Sequence, residues 1–301
     1  MIAPGAAQGI QVGRARATTQ LTIRVNVWQR TSQLMFDAVG VAVALVMLFP
    51  IYWMVATAFK PGRDILTLTP KWIPTPFTLQ NFQDAISRPF FLDDVRNSVV
   101  IVGVMLVMAL AIAFLAAVGT ARFGFKGRTA FLVMIIAVQM VPLNALIIPV
   151  YLMLDGIGQT DALPGVIAVY LAVVLPFMVW TLRGFVANIP AELEEAAMID
   201  GCTRTGAALR ITLPLVGPGL VATAIFGFIQ AWNEYIIAYV LLSSPHNQTL
   251  TVWLASFTTN HGPEWGPLMA GATLTGLPVV ALFLILQRYL AGGLAAGAVK
   301  G

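Results

Sequence analysis

Residues Arg183 to Pro214 read RGFVANIPAELEEAAMIDGCTRTGAALRITLP, a polar island in an otherwise apolar chain. Pro190 suits the first turn of a helix, where its missing N–H costs nothing, and Glu192, Glu194 and Glu195 follow where the helix dipole favours anions. Gly201 stands where a left-handed residue would end that helix. Thr203 can cap a second helix through Ala207, Ala208 and Leu209, with Pro214 as its stop. The pattern predicts a helix–turn–helix too short and too polar to span a bilayer, lying on the surface and presented to a partner.

Around this island the composition is that of a membrane protein: 58% of the residues are hydrophobic and 10% charged, with a mean hydropathy of +0.85, outside the range of ordinary soluble domains. The formal charge of +4 does not point to nucleic acid. The basic residues are scattered between apolar runs without a stripe, which suits membrane orientation instead. The single cysteine, Cys202, has no internal partner for a disulfide and falls in the polar island, where a reduced, structural thiol is expected.

Taken in order, residues 1–35 form a tail with Arg14, Arg16, Arg24 and Arg30 and no acidic residue. A cleavable signal competes with an anchor here, but the first apolar run, 38–59, is too long for a signal core and long enough to cross. A mixed-charge, proline-rich loop follows and carries Lys60, Arg63, Lys71, Arg88 and Arg96. Further spans are expected at about 97–121, 129–154, 162–182, 215–242 and 265–287, with the polar loop at 183–214. Gln139, Pro142, Asn144 and Pro149 in the third run predict a kinked backbone facing protein. Arg122, Lys126 and Arg128 mark the short turn after the second span as cytoplasmic. On that topology the first loop holds the only external Lys and Arg, so both termini are cytoplasmic. The domain reading is a cytoplasmic tail at 1–35, a six-span all-α region at 36–291 and a cytoplasmic tail at 292–301.

Glu195-Ala196-Ala197, then Gly201, then Ile211-x-Leu213-Pro214 resembles the EAA loop of ATP-binding-cassette importer permeases. Phe59-Lys60-Pro61, Trp72-x-Pro74, Thr78-Leu79-x-Asn81-Phe82 and the ending Gly292 to Gly301 are similar to the second permease of maltose-type carbohydrate importers. The likeness covers about residues 36 to 301. It implies a coupling helix docked on a cytoplasmic ATPase dimer, a second, non-identical permease, an extracytoplasmic sugar-binding protein, and a bacterial inner-membrane location. It also implies that Gly297, Lys300 and Gly301 contact the ATPase. Composition alone reads that tail as disordered, its three glycines and three alanines at 293–301 making order costly. The basic N-terminal arm has no recognised counterpart and reads as a segment near anionic lipid.

Catalysis by the chain itself is not expected. No Gly-Lys pair exists to begin a P-loop, so ATP and Mg²⁺ belong to a partner and this chain binds no cofactor. The two histidines, His246 and His261, lack the Cys or carboxylate array of a metal site. The remaining polar constellation is Gln230, Asn233 and Glu234, which share one face of a continuous helix and line a cavity or else join two helices. Trp232, Tyr235 and Tyr239 are either sugar-stacking or interfacial aromatics. Gln139 and Asn144 join the candidate substrate path if the Pro142 kink aligns them. The expected function is ATP-driven uptake of a sugar by alternating access; an ion- or proton-coupled carrier with Glu234 as titrating group is the alternative, and a membrane-embedded enzyme a distant third.

Overall fold

The computed structural model of the chain describes residues 27–298. Its elements are almost all helical. In order they are α1 (Val27–Ala58), α2 (Gln80–Ile86), α3 (Phe91–Arg122), α4 (Arg128–Gln139), α5 (Leu143–Asp155), α6 (Leu163–Ala187), α7 (Glu192–Ile199) and α8 (Arg204–Ala207). A π turn (Ala208–Thr212) leads into α9 (Leu213–Leu215) and α10 (Gly217–Trp232), followed by α11 (Ile236–Leu241), α12 (Leu250–Ala255), a two-residue hairpin β1 (Thr258–Thr259) and β2 (Gly262–Pro263), and α13 (Trp265–Ala298). Four helices are long and apolar enough to cross a membrane, and six spans result if each of two bent pairs counts as one.

A boundary between two compact units falls between Ile51 and Tyr52, within α1. In the first unit the described side chains from Gln33 to Ile51 are all exposed, although most are apolar. The second unit is built on α3 and α6, which form its most extensive helix pairing. Ile101, Met105, Ala109, Ala113 and Ala117 recur every fourth residue of α3 and are fully buried; Val166, Tyr170, Val174, Met178, Leu182 and Val186 do the same on α6. Residues four apart lie on one helix face, so each helix sends one continuous row into the same core. The alanines of α3 let a neighbouring backbone come close. Close approach recurs at Gly219 of α10, where a Cβ would stand 2.5 Å from the Phe185 ring.

Several expected boundaries shift. The second span begins at Phe91, not at residue 97, because Asp93 and Asp94 fall in the first turn of α3, where the dipole favours them. The third span bends by 99° between α4 and α5, around the Met140–Pro142 break. Within this chain it does not face protein as expected: only Leu132, Ile135 and Leu154 of the pair are buried. The motif in the loop after α1 is structural. Buried Asn81 donates to the carbonyls of Ala58 and Lys60, both at 2.8 Å, and its Oδ1 lies against Gly266. Phe59 stacks on Phe77 and packs on Phe82. Lys60 is buried with Nζ 3.9 Å from the Trp53 ring centroid. That burial pushes its amine below the usual lysine range, against the pull of Asp64.

Pro214 does not stop the second short helix. It occupies the first turn of α9, where no N–H is needed, and the backbone runs on to a 74° bend before α10. At the C-terminal end α13 continues past residue 287 to Ala298, so Gly297 lies in helix, while Lys300 and Gly301 lie outside the described residues. So do residues 1–26 of the N-terminal tail.

Candidate functional site

The polar island folds as its local signals require. α7 carries Glu192, Glu194 and Glu195 in its first turn. It ends on a Schellman motif: Gly201 adopts φ +92°, its N–H bonds the Met198 carbonyl at 3.1 Å, and the Cys202 N–H bonds the Ala197 carbonyl at 3.0 Å. Thr203 then caps α8, its hydroxyl accepting from the Gly206 N–H at 3.0 Å. Two short helices are thus held at a fixed turn without help from outside.

What fixes the turn to the bundle is Glu194, which the sequence reading passed over in favour of Glu195. Glu194 is 7% exposed. Its Oε1 accepts from Arg122 Nε at 2.8 Å and from the Thr212 hydroxyl, while Arg122 also donates to the Ile189 carbonyl at 2.9 Å. One carboxylate oxygen therefore joins the end of α3, α7 and the π turn, and Arg122 adds the connection from α6. A guanidinium can satisfy several acceptors at once, and here it leaves no free charge inside the joint. The only sequence signal for this role is that Arg122 is the last residue of an apolar span; its partner lies 72 positions away.

The side chains of the EAA pattern divide by exposure. Glu195, Ala196, Gly201 and Pro214 are exposed, and Ala197, Ile211 and Leu213 are half-buried. Ile199 is 87% exposed, and Leu193 and Leu209 are exposed too. The outer surface of this braced projection thus mixes apolar side chains with the Glu195 carboxylate. Between it and the last turns of α3 lies a cavity of about 340 Å³ bordered by Leu115, Val118, Glu195, Met198 and Leu209.

The candidate substrate path is rearranged. The expected common face of Gln230, Asn233 and Glu234 does not exist because α10 ends at Trp232. Gln230 and Asn233 are exposed, and the Asn233 amide folds back on the Ile229 carbonyl at 2.9 Å. Glu234 instead accepts from the Ile237 N–H at 2.9 Å, the Ala238 N–H at 3.2 Å and the Tyr170 hydroxyl at 3.0 Å. It is the anchor of α11, with both carboxylate oxygens engaged. Trp232 is not a sugar platform: it is 7% exposed, stacked on Phe228, and donates to the Thr275 carbonyl at 3.0 Å. Gln139 bonds the Val173 carbonyl at 3.2 Å and borders an apolar cavity of about 460 Å³, while Asn144 is exposed beyond the bend.

At the opposite end of α3 a second lattice gathers residues that sequence reasoning missed. Asn97 donates to the carbonyls of His246 and Gln248 at 2.8 and 3.0 Å, and Ser98 accepts the Leu250 N–H at 2.8 Å. His246 Nδ1 lies 2.9 Å from Asp93. Asp161, at φ +53°, accepts the N–H groups of Ser243 and Ser244, both at 2.9 Å, and the Ser244 hydroxyl, while its carbonyl accepts from Asn247 at 2.7 Å. Partial burial raises the affinity of this carboxyl for a proton, but the Ser244 and neighbouring donors outweigh it and hold Asp161 below the usual carboxylate range. Among the described residues no group of three His, Cys, Asp or Glu is placed to hold a metal ion.

Residues 109–295 match the model of the family described as binding-protein-dependent transport system inner membrane component. The chain is 42% identical over 265 residues to the diacetylchitobiose uptake system permease protein DasC of Streptomyces coelicolor, covering 88% of this chain and 96% of that one. It is 31% identical to the trehalose/maltose transport system permease protein MalG of Thermococcus litoralis, covering 87% and 95%. To the arabinooligosaccharides transport system permease protein AraQ of Halalkalibacterium halodurans it is 32% identical, covering 86% and 93%. Its fold is that of a chain in the crystal structure of a bacterial ABC transporter that imports alginate, with a TM-score of 0.75 over 86% of this chain and 96% of that one, at 20% identity.

Proposed function

The chain belongs to the binding-protein-dependent transport system inner membrane components, and we propose that it forms half of the path by which a sugar or oligosaccharide is imported through the bacterial inner membrane. The observation that carries the coupling part of this reading is the braced projection of α7 and α8. Its root is fixed to α3 through Glu194 and Arg122, and its outer surface presents Glu195, Ala196 and Ile199. A lever needs a rigid root and an exposed contact surface, and this segment has both.

The projection, with Ala197, Gly201, Ile211, Leu213 and Pro214 shaping it, docks on a cytoplasmic ATPase dimer, where ATP and Mg²⁺ are bound and hydrolysed. This chain supplies neither cofactor site nor bond chemistry. Closure of the ATPase pulls on α7 and α8, and Arg122 and Glu194 pass the displacement to α3. A second, non-identical permease completes the path, and an extracytoplasmic binding protein delivers the sugar. Both termini face the cytoplasm, a reading supported by the placement of Lys and Arg, and Gly297, Lys300 and Gly301 touch the ATPase. Support for a sugar as cargo comes from the three relatives, named for diacetylchitobiose, trehalose and maltose, and arabinooligosaccharides. The ion-coupled alternative loses its motive, because Glu234 is engaged by three donors.

The test is expression with the neighbouring transporter genes, followed by purification and uptake of labelled diacetylchitobiose. Co-elution with an ATPase and a second permease, and uptake that stops without ATP, is the expected result. Uptake by this chain alone, driven by a proton gradient, would overturn it.

A further inference from the structure

The break between α10 and α11 places two tyrosines with unusual care. Glu234 caps α11 through the N–H groups of Ile237 and Ala238, and the Thr251 hydroxyl donates to the Glu234 carbonyl at 2.7 Å. Tyr235 is therefore fixed at the start of the helix, and Tyr239 follows one turn later on the same face. Their rings are stacked, with centroids 5.4 Å apart and planes inclined by 27°. Neither ring is used by the core: Tyr235 is 37% exposed and Tyr239 60%.

The two rings form one wall of an open groove of about 580 Å³, whose other polar lining is Gln248, Ser256 and Thr258. That volume is in the range of small-ligand sites. The lining contains no Asp, Glu, Lys, Arg or His, so nothing in it selects an ion, a phosphate or a uronate. What it offers is exposed aromatic surface in one groove with an amide and two hydroxyls, each able to donate and accept. A pyranose has the matching chemistry, with an apolar C–H face and a rim of hydroxyls. Because the tyrosines already touch each other, a sugar ring would lie across their exposed faces and not between them. Gln248 is tied to the Asn97 end of α3, whereas the braced projection is tied to its Arg122 end. Asn97 and Arg122 stand towards opposite ends of α3, each residue between them adding roughly 1.5 Å, so the groove stands at the mouth opposite the ATPase-facing segment.

We propose that this groove is a subsite for a neutral saccharide on the permease itself, with Tyr235 and Tyr239 as the platform and Gln248, Ser256 and Thr258 as hydroxyl partners. The proposal rests on the reading of the chain as a sugar permease and deepens it, because part of the choice of sugar is then made in this chain.

The experiment uses the complete transporter and labelled diacetylchitobiose. Tyr235→Ala and Tyr239→Ala are each expected to raise KM for uptake on the order of fivefold, the scale of one lost aromatic contact, with kcat nearly unchanged. Tyr→Phe at either position recovers most of that loss, because the ring face is kept. In parallel, Ala255→Cys, which lines the groove without an assigned sugar contact, is labelled in a Cys202→Ser background with a water-soluble maleimide. Diacetylchitobiose is expected to slow the labelling, and Tyr235→Ala to remove that protection. Continued uptake with wild-type KM in both alanine variants, and labelling indifferent to sugar, would overturn the subsite while leaving the transport reading intact. An assembled transporter that moves none of diacetylchitobiose, maltose, trehalose or arabino-oligosaccharides would overturn both.

Discussion

At its Arg122 end α3 is fastened by a buried ion pair shared among three further segments, whereas at its Asn97 end the buried fastening is by neutral hydrogen bonds to two loop carbonyls and one backbone amide, with the Asp93–His246 contact left exposed. The two chemistries fail differently. An ion pair in a low-dielectric joint is worth little over an apolar substitute while intact, but losing one partner strands the other charge. Neutral bonds can be lost one at a time, each at modest cost. The first arrangement suits a joint that must move as one body, and the second suits a mouth whose loops are individually adjustable.

The largest expected effect comes from stranding Arg122. Glu194→Ala should destabilise the protein by about 3–5 kcal/mol, seen as a large fall in thermal unfolding temperature in detergent, with Glu194→Gln intermediate. A drop no larger than that of a surface mutation would erase the contrast between the two ends. Next is Asp161→Asn, expected to cost about 1–3 kcal/mol through its weakened hydrogen bonds, with a pH dependence that sharpens the comparison. The folded-state pKa of Asp161 is depressed, so its contribution is full above the ordinary carboxylate range and is lost as pH falls through the lowered value. Unfolding measured against pH should therefore show variant and wild type converging in acid; a constant gap would mean that the charge is irrelevant.

Asn97→Ala should cost about 1–2 kcal/mol, because the carbonyls of His246 and Gln248 lose a buried donor. Hydrogen exchange should report it as faster opening of the 243–250 segment while the 190–212 segment is unchanged. If both segments loosen together, the two ends are not independent. The smallest expected stability change, within about 0.5 kcal/mol, is for exposed Glu195→Lys, yet the proposed docking predicts that this variant hydrolyses ATP without moving sugar. Normal transport by Glu195→Lys would separate the projection from coupling and leave only its structural role.

The contrast also explains how much was legible in the sequence. The Schellman turn at Gly201 and the Thr203 cap were readable because every participant lies within six residues. The third-span bend was readable from Pro142 for the same reason. Glu194 and Glu195 cannot be told apart locally; what buries one is Arg122, far along the chain. The Gln230, Asn233 and Glu234 face was misjudged because periodicity assumes that a helix continues, and it was Glu234 itself, turning its carboxylate onto the N–H groups of Ile237 and Ala238, that ended it. Trp232 followed the same error, since an aromatic near a predicted path looks alike whether it faces a cavity or the Thr275 carbonyl. Asp161 gave no signal beyond its place in an acidic turn.

The π turn at Ala208–Thr212 joins the α7–α8 segment to α9 and α10. It accommodates one residue more than an α-helical turn would, and each residue of an α-helix advances the side-chain direction by about 100°. Deleting a single residue there would let the turn relax to ordinary α geometry with its two sides still in phase, whereas forcing α geometry with the residue kept would swing everything on one side by that angle. The Thr212 hydroxyl would then leave the Glu194 carboxylate and Gly219 would leave the Phe185 ring, though neither residue had been altered. The length of this turn, independent of its composition, sets the phase between the two halves of the chain that it joins.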